Sequence, residues 1–215
     1  MNEPKHPDEN VLFMGRVVAS YSHEIKNILA IINESSGLMH DLITLKKEDL
    51  SERTQRFTKT LEDIEEHVLR GQELSTHLNA LAHAPDKEVG GVDIVHSMHT
   101  VFELTRRLVR NKSLSVKMHA PGDKLLITTK PLEFMHLTFC ALEWAMARSQ
   151  PGDEIVFQPR GTEDGVHIEV SGWTENGGQK DDALHRLHSV AAALQGECTA
   201  QQKALVITLP KEIRA

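Results

Sequence analysis

Cysteine and aromatic residues are scarce in this sequence. Among 215 residues the only cysteines are Cys140 and Cys198, and aromatic residues make up 4%. Two cysteines so far apart predict neither a disulfide framework nor a zinc site, so we expect both to be reduced and buried. No apolar run has the length of a membrane span, and residues 1–10 are polar and contain proline, unlike a signal peptide. We therefore expect a cytoplasmic protein.

The sequence also lacks an excess of positive charge. The formal net charge is -7, and no run of lysines and arginines contains interleaved aromatic residues, so nucleic acid is not an expected partner. Gly-x-Ser-x-Gly elbows, His-Glu-x-x-His helices and Cys-x-x-Cys pairs are absent, which leaves hydrolase and redox functions without support. The hydrophobic content of 40% suffices for one or two folded domains. Only residues 1–10 are expected to form a flexible tail.

A heptad-like pattern predicts a long helix over residues 11–45. Apolar or small residues recur at alternating steps of four and three, as in one buried stripe of a helix. These positions are Met14, Val18, Tyr21, Ile25, Ile28, Ile32, Ser35, Met39 and Leu42. In this register His23 occupies the f position, which points away from the buried stripe. We therefore expect the imidazole of His23 to be exposed to solvent.

His23 has polar neighbours that suit nucleophilic chemistry. An ordinary imidazole is largely neutral at cytosolic pH and can attack phosphorus through a free nitrogen lone pair. Glu24 can accept a hydrogen bond from the other ring nitrogen, and Asn27, one turn later, can hold an attacking water or a phosphoryl oxygen. The alternative is an ordinary surface histidine, which is the commoner case for a lone exposed residue.

The residues around His23 resemble a known phosphoacceptor motif. The segment reads Ser22-His23-Glu24-Ile25-Lys26-Asn27, followed by Leu29-Ala30-Ile31-Ile32. It is similar to the phosphoacceptor box of bacterial two-component histidine kinases, whose dimerisation and phosphotransfer domain is a helical hairpin that dimerises into a four-helix bundle. The resemblance implies that His23 is phosphorylated, that Glu24 is the adjacent acid and that Asn27 assists dephosphorylation of a partner.

The same resemblance implies a docking surface for a response-regulator receiver domain. This surface lies on the exposed side of the first helix, around Ser22, Lys26 and Ala30, beside Asn27. The second helix and the edge of the second domain are further candidates for the same surface. One departure is visible, because many members have proline after the position of Asn27, whereas this chain has Ile28. Without the ring that breaks the helical hydrogen-bond ladder, we expect the helix to bend less beyond the site.

A second amphipathic helix completes a predicted hairpin over residues 11–84. Residues 46–51 are polar enough to form the turn, and the apolar residues that follow repeat the helical spacing, with a change of phase near Gly71. These residues are Phe57, Leu61, Ile64, Val68, Leu74, Leu78 and Leu81. Because an antiparallel hairpin of this kind usually needs a second copy to bury its stripe, we expect a homodimer with a four-helix bundle.

Helix-breaking residues at Ala84–Asp86 and at Gly90 and Gly91 predict a boundary before a second domain, residues 91–215. The expected helices cover residues 94–110, 131–147 and 182–194. The expected strands cover residues 114–119 and 125–129 around the Pro121-Gly122 turn, a hairpin of 155–157 and 166–170, and residues 197–201 and 204–209. This order predicts an α/β sandwich with helices on one face of a mixed sheet, and an α+β chain overall.

That order, joined to a phosphoacceptor hairpin, resembles the ATP-binding catalytic domain of histidine kinases, a fold shared with gyrase. By this resemblance Trp144 stands where the family has a magnesium-binding asparagine, Gly172 replaces the adenine-binding aspartate, and Asp181 and Ala183 replace phosphate-cradling glycines. Only about eight residues separate Trp173 from the last helix, where the family has a flexible lid. An indole cannot bind magnesium, which takes oxygen ligands. We therefore expect a domain that keeps its fold and binds neither ATP nor another cofactor.

Three smaller features have ordinary interpretations. His96 and His99, and likewise His185 and His188, have metal-ligand spacing but no convincing third ligand, so solvated histidines are the preferred interpretation. A basic cluster could meet an acidic partner, although a solvated helix end explains it as well. This cluster is Arg106, Arg107, Arg110 and Lys112. The segment Asn176-Gly177-Gly178 is either a plain turn or a remnant phosphate loop.

Together these observations predict a dimeric histidine phosphotransfer protein. A receiver domain bearing aspartyl phosphate passes the phosphoryl group to His23, a second receiver can remove it, and the receiver's own acids hold the Mg²⁺ ion. Two alternatives stay open. One is an ATP-dependent histidine kinase with divergent nucleotide boxes, and the other is a regulatory module that blocks or dephosphorylates a receiver without carrying phosphate.

Overall fold

The computed structural model shows a helical hairpin followed by an α/β domain, and it describes residues 9–44, 50–174, 182–201 and 203–213. The helices are α1 (Glu9–Thr44), α2 (Leu50–Ala82), α3 (Ile94–Arg110), α4 (Pro131–Met146) and α5 (Asp182–Ala193). The strands are β1 (Gly90–Asp93), β2 (Ser115–Met118), β3 (Leu126–Thr129), β4 (Glu154–Gly161), β5 (Gly165–Ser171), β6 (Glu197–Ala200) and β7 (Ala204–Pro210). This arrangement confirms the predicted α+β class.

The two hairpin helices both begin earlier than predicted. Glu9 and Asn10 are helical rather than part of the tail, and Leu50 and Ser51 are helical rather than part of the turn. The carboxylate of Glu9 lies in the first turn of α1, where it interacts favourably with the helix dipole. Asn10 Oδ1 lies 2.9 Å from Nδ1 of His136 in α4. None of the described helices is long and apolar enough to cross a membrane.

The α/β domain is built on a five-stranded sheet with strand order β2-β4-β5-β7-β6. Alternate side chains, such as Ile155 and Phe157 in β4 and Val170 in β5, are buried on one face of the sheet. These residues share one hydrophobic core with apolar residues of α3, α4 and α5. The helices therefore cover one face, which confirms the predicted α/β sandwich, and the β4–β5 and β6–β7 pairs form as predicted.

Two predicted strands pair differently from expectation. β2 and β3 do not pair with each other across the Pro121-Gly122 turn; β2 is parallel to β4, and β3 is antiparallel to β1. Strand β1 was not predicted, because Gly90 and Gly91 favour a turn. Val92 in β1 lies opposite Ile127 in β3, and both side chains are buried. Their burial outweighs the weak strand preference of glycine.

A second hydrophobic core joins the hairpin to the α/β domain. Phe13 of α1 packs against Phe139 of α4, with ring centroids 5.2 Å apart. Leu74 and Leu81 of α2 and Leu104 of α3 are fully or almost fully buried in the same cluster. The α/β domain therefore lies against the N-terminal part of α1 and the C-terminal part of α2.

This contact changes which residues of the hairpin are buried. Val18, predicted in the buried stripe, is 42% exposed, whereas Phe13 and Val17 are 2% and 1% exposed. The heptad pattern assumed that α1 packs only on another hairpin helix, but α4 covers the neighbouring face here. In α2, Leu61 and Val68 are also exposed, at 40% and 42%, although the pattern placed them in a buried stripe.

Ion pairs also connect the hairpin to the α/β domain. They join Arg16 to Glu143, Arg70 to Glu103 and Arg110 to Glu24. Burial raises the pKa of the Glu143 carboxyl, and the charge of Arg16 opposes that rise. Each pair links one element of the hairpin to α3 or α4, beside the hydrophobic core that joins the two parts.

Candidate functional site

His23 is exposed on the surface of α1, as its position in the heptad predicts. Lys26, Asn27 and Ala30 are also exposed, and Ser22 is half-buried. We call these residues the acceptor patch: Ser22, His23, Lys26, Asn27 and Ala30. The patch occupies slightly more than two turns of one uninterrupted helix, so its side chains keep fixed spacing along α1. It offers an imidazole, an ammonium and a carboxamide to a partner.

The backbone beneath the acceptor patch is held by close helix packing. Ile28 is 5% exposed and faces α2. A methyl group added at Gly71 of α2 would lie only 3.7 Å from Cγ2 of Ile28, so the helices approach closely at this point. The helix α1 continues through Ile28 without interruption, where many members of the resembled family have proline.

Glu24 is engaged by a residue that sequence reasoning assigned to a solvated helix end. Nη2 of Arg110, the last residue of α3, donates hydrogen bonds to both carboxylate oxygens of Glu24, at 2.8 Å and 2.6 Å. The Glu24 side chain is 13% exposed and that of Arg110 is 53% exposed. In the described part of the chain, no hydrogen bond joins Glu24 to His23. The predicted role of Glu24 toward the imidazole therefore stays a prediction, and Arg110 is an addition to the site.

The region expected to have lost its nucleotide is filled by aromatic side chains. Trp144 of α4 is 2% exposed. Its ring meets that of Trp173 edge to face, with centroids 5.1 Å apart. Cζ of Arg148 lies 3.7 Å from the centroid of the Trp144 ring, a cation–π contact. Trp173 and Arg148 therefore both pack against the ring of Trp144.

Gly172 has a backbone that excludes any other residue. Its φ is +100°, in the region that favours glycine, and a Cβ atom there would lie 2.0 Å from the carbonyl oxygen of Glu154. An aspartate at this position would require the backbone to move. Glycine at this position therefore allows the end of β5 to lie close to β4.

The chain leaving β5 is fastened by Asp153. One carboxylate oxygen of Asp153 accepts hydrogen bonds from the backbone N–H groups of Gln150 and Thr174, at 2.8 Å and 3.0 Å. These hydrogen bonds lower the pKa of the Asp153 carboxyl. Asp181 and Asn176-Gly177-Gly178, together with the predicted short connection, lie outside the described residues. Ala183 is half-buried and packs against the domain core.

The remaining candidate residues do not form a metal or thiol site. Burial raises the pKa of Cys140 and of Cys198 to about 12, so neither thiol is an effective nucleophile at neutral pH. His96, His99, His185 and His188 are exposed, as the preferred interpretation expects. Within the described ranges, no group of three or more histidine, cysteine, aspartate or glutamate side chains is arranged to hold a metal ion.

His77 is a buried histidine that sequence reasoning missed. It is 7% exposed, and its Nδ1 lies 3.2 Å from Oγ1 of Thr100 in α3. Its ring also contacts that of His99, with centroids 5.2 Å apart. Burial, and then the nearby His99, lower the pKa of His77. Its place in the helical pattern of α2, three residues after the buried Leu74, was the signal that could have identified it.

Comparison with known proteins identifies the architecture. The chain matches no protein-family model and no curated protein. Among solved structures, it is similar to the catalytic domain of histidine kinase ThkA, with a TM-score of 0.52 and 10% identity over 60% of this chain and 100% of that domain. A second structure of that domain gives a TM-score of 0.51 over 59% of this chain. Acinetobacter baumannii histidine kinase AdeS matches over 88% of this chain and 98% of its own, with 13% identity and a TM-score of 0.49.

The similarity belongs to the α/β domain, because the helical hairpin is too short to supply three fifths of the chain. At 10% identity it concerns the fold and leaves activity to be argued from the residues. The α/β domain therefore has the fold of histidine kinase catalytic domains, and an N-terminal helical hairpin precedes it.

Proposed function

We propose that this protein is a histidine phosphotransfer protein of a two-component system. It accepts a phosphoryl group on His23 from the aspartyl phosphate of a response-regulator receiver domain and passes it to another receiver. The observation that carries this proposal is the exposure of His23 on α1, within a phosphoacceptor-like segment, beside a domain with the histidine kinase catalytic fold. An exposed nucleophile suits a substrate that is itself a folded protein.

The chemistry requires little more than correct positioning. The lone pair of the neutral imidazole attacks phosphorus, and the N–P bond forms as the P–O bond to the receiver's aspartate breaks and leaves a carboxylate. The receiver's acids hold the Mg²⁺ ion that compensates the phosphoryl charge, so this chain supplies no metal ligand. The amide of Asn27, one turn from His23, can orient a phosphoryl oxygen or a water.

The filled region around Trp144 supports a donor other than ATP. Trp173 and Arg148 both pack against the ring of Trp144. At Gly172 the backbone leaves no room for a side chain that could bind adenine. A catalytic domain with this packing retains a structural role and contributes no nucleotide to the reaction. The phosphoryl group must then come from another phosphoprotein, and His23 needs only to receive it.

The hairpin also supports a homodimer as the working form. Large apolar side chains along both hairpin helices are 40% exposed or more, which is unusual for a surface that stays in water. They are Val11, Leu12, Val18, Leu29, Leu38, Ile43, Leu61, Val68 and Leu69. A second copy of the hairpin would cover such a stripe, as in four-helix bundles.

Light scattering tests the dimer. The native chain should have twice the monomer mass, and Leu69→Lys should dissociate it, because Leu69 is 65% exposed on α2. Leu126→Lys is the matched control, since Leu126 is 60% exposed in the α/β domain. A native chain that remains monomeric at high micromolar concentration would contradict the dimer.

Phosphotransfer from purified receivers tests the function itself. Receivers labelled on aspartate should transfer acid-labile label to the native protein and to His40→Ala, but not to His23→Ala. His40 is a suitable control because its side chain is 82% exposed on the same helix. Equal labelling of native protein and His23→Ala would show that His23 is not the acceptor.

The same assay separates the alternatives. Labelling of His23 from ATP would identify a histidine kinase with divergent nucleotide boxes. Loss of label from the receiver, without any label on this chain, would identify a receiver-binding phosphatase that uses Asn27. Asn27→Ala should then abolish the loss of label, whereas it should leave labelling of His23 by a receiver in place.

A further inference from the structure

The C-terminal end of α3 places a basic surface beside the acceptor patch. Arg106 and Arg110 are exposed, at 51% and 53% of their side chains, and Arg107 is half-buried between them. Arg110 reaches Glu24, the residue that follows His23, so this surface adjoins the phosphoacceptor. This cluster of positive charge contrasts with the formal net charge of the whole chain, which is -7.

A groove of about 400 Å³ continues this surface between α3 and β2. Its apolar lining is provided by Phe102, Val109, Leu114 and Val116, and Arg106 and Arg110 are among its polar lining residues. Strand β2 is an edge strand of the sheet, so nothing in the described sheet covers the groove on that side. Glu103 also lines the groove, but its carboxylate accepts a hydrogen bond from Arg70. Arg106 and Arg110 are therefore the charges that the groove offers to an apolar side chain surrounded by acids.

A partner that touches His23 should also cover this basic surface, because protein interfaces extend over many residues. Even a small, transient interface of about 600 Å² a side has a radius of roughly 14 Å when it is circular. Arg110 is hydrogen-bonded to the residue adjacent to His23, well inside that radius. We therefore expect a receiver seated on the acceptor patch to extend over the end of α3 as well as α1.

Arg110 has donors to spare for such a partner. Both of its hydrogen bonds to Glu24 leave from Nη2, and within the described residues Nε and Nη1 make no other recorded hydrogen bond. A guanidinium carries five N–H donors, so three remain for another acceptor. The face of a receiver that presents aspartyl phosphate also presents the carboxylates that hold Mg²⁺, and it is therefore acidic.

On these grounds, and resting on the proposed function, we propose that the end of α3 and the groove between α3 and β2 form the second half of the receiver-docking surface. Arg106 and Arg110 face the acidic rim of the receiver's active site, and an apolar side chain of the receiver enters the groove. The α/β domain then selects and orients the protein substrate, and His23 performs the chemistry.

Arg70 also joins the hairpin to the α/β domain, so its removal is the control for a purely structural role of Arg110. If Arg110 only fastened the two parts together, its removal would act like removal of Arg70, which donates to Glu103 at 2.5 Å. Arg106 has no described contact with the hairpin, and its nearest acid is Glu103 in the same helix, at 4.0 Å. Arg106→Glu therefore changes the docking surface without removing a contact to the hairpin, and Arg70→Ala controls for any effect through the neighbouring Glu103.

The experiment measures the concentration dependence of single-turnover phosphotransfer from a phosphorylated receiver. Arg106→Glu should raise the receiver concentration at half-maximal rate roughly tenfold at low salt and leave the maximal rate within about twofold. Added salt should reduce the difference, because rim charges act mainly through screened attraction. Arg110→Ala should have the same kind of effect, whereas Arg70→Ala should not raise the half-maximal concentration.

Arg160→Glu is the matched control for the charge change. Arg160 is exposed in β4 and donates to Gln158 of the same strand. It lies near the far end of β4, since β2, which follows α3, pairs with the beginning of that strand at Glu154. Its reversal should leave the half-maximal concentration unchanged, and circular dichroism should show that all variants fold.

A cross-linking measurement tests the groove independently. The native cysteines are poorly reactive, so a photo-cross-linker attached to Ser115→Cys, at the groove, labels a single site. It should capture the receiver, and the same reagent on Glu163→Cys, in the exposed β4–β5 turn, should not. Equal capture at both positions, together with unchanged kinetics in Arg106→Glu, would overturn the docking surface while leaving His23 as acceptor. If no receiver phosphorylates His23, receiver binding by calorimetry still decides, since dependence on Arg106 supports the surface and independence overturns it.

Discussion

The acceptor patch and the region around Trp144 differ in how far their side chains are exposed to solvent. On α1, His23 projects into solvent, and the helix leaves several large apolar side chains uncovered. On α4, nearly every residue from Phe134 to Met146 is buried, and Trp144 is covered by Trp173 and Arg148. The comparison teaches that the two regions suit different roles: His23 is accessible to a partner, whereas Trp144 is part of the core.

The helix patterns agree with this division. An amphipathic helix such as α1 requires one covered stripe, whereas a helix that is apolar on all sides requires burial on all sides. α4 satisfies that requirement between α1, α3, α5 and the sheet. The indole of Trp144 fits this buried environment, because it packs against Trp173 and Arg148.

The largest effect should come from removing the indole at Trp144. Trp144→Ala should lower the free energy of unfolding by about 3–5 kcal/mol, because it leaves a cavity beside Trp173 and removes the cation–π contact with Arg148. Urea unfolding followed by circular dichroism measures the change. Leu126→Ala, at a position 60% exposed, is the control and should change stability by less than about 0.5 kcal/mol. A small effect of Trp144→Ala would mean that this region is open after all.

Glycines in the two regions should respond with opposite sign. Gly172→Ala should cost at least about 2 kcal/mol, because its positive φ and the close carbonyl of Glu154 both exclude a Cβ atom. Gly37→Ala in α1 should stabilise the protein by about 0.5–1 kcal/mol, since no atom lies within 4 Å of the added methyl group and alanine favours the helix. Thermal unfolding compares the two variants. Equal tolerance at both positions would contradict the described path of the chain after β5.

A smaller effect should appear as a pH dependence at the junction of the two regions. Burial holds the pKa of His77 below its ordinary value of 6.5, so the unfolded chain binds more protons than the folded chain just below that pH. Stability associated with His77 is therefore present above pH 6.5 and is lost as the pH falls toward the folded-state pKa. Urea midpoints between pH 7.5 and 5.5 should fall less steeply in His77→Gln than in the native protein.

The exposed His40 provides the control for this pH dependence. His40→Gln should reproduce the native slope, because the His40 side chain is 82% exposed, unlike the buried ring of His77. An identical slope in His77→Gln and the native protein would show that the junction between α2 and α3 does not sense acid.

Replacement of His23 should have the smallest effect on stability, although we propose that it has the largest effect on function. His23→Gln should change the free energy of unfolding by less than about 0.5 kcal/mol, because the imidazole is exposed and makes no described contact. It should still abolish uptake of phosphate from receivers. A substantial loss of stability in His23→Gln would break the comparison, since the residue would then be part of the packing.

Local patterns predicted the hairpin and most of the α/β domain. The four-and-three spacing of α1 and the alternation around Ile155 and Ile168 depend on residues close in sequence. The helix and the strands agree with the structure, and Val18 is the exposed exception in the α1 stripe. Strand β1 was not predicted, because its glycines favour a turn. Its pairing with β3 depends on Ile127, which lies far along the chain. The exposure of His23 followed from the heptad register alone.

The contacts between the two regions could not be predicted in this way. Arg110 and Glu24 are 86 positions apart, and no periodicity connects them. The burial of Phe13 and Val17 depends equally on where α4 packs. Within the candidate site, His23 and its helical neighbours could therefore be identified from the sequence. The contact of Arg110 with Glu24 could be identified only from the structure.

The edge-to-face tryptophan pair has a practical consequence for spectroscopy. Trp144 and Trp173 are the only indoles of the chain, and Tyr21 is its only tyrosine. Fluorescence excited at the red edge of the absorption band therefore comes from one half of the molecule alone. Tyr21 lies on α1, within the cluster that joins that helix to the other half. Energy transfer from phenol to indole would then report, without any added dye, whether the halves separate when a partner arrives.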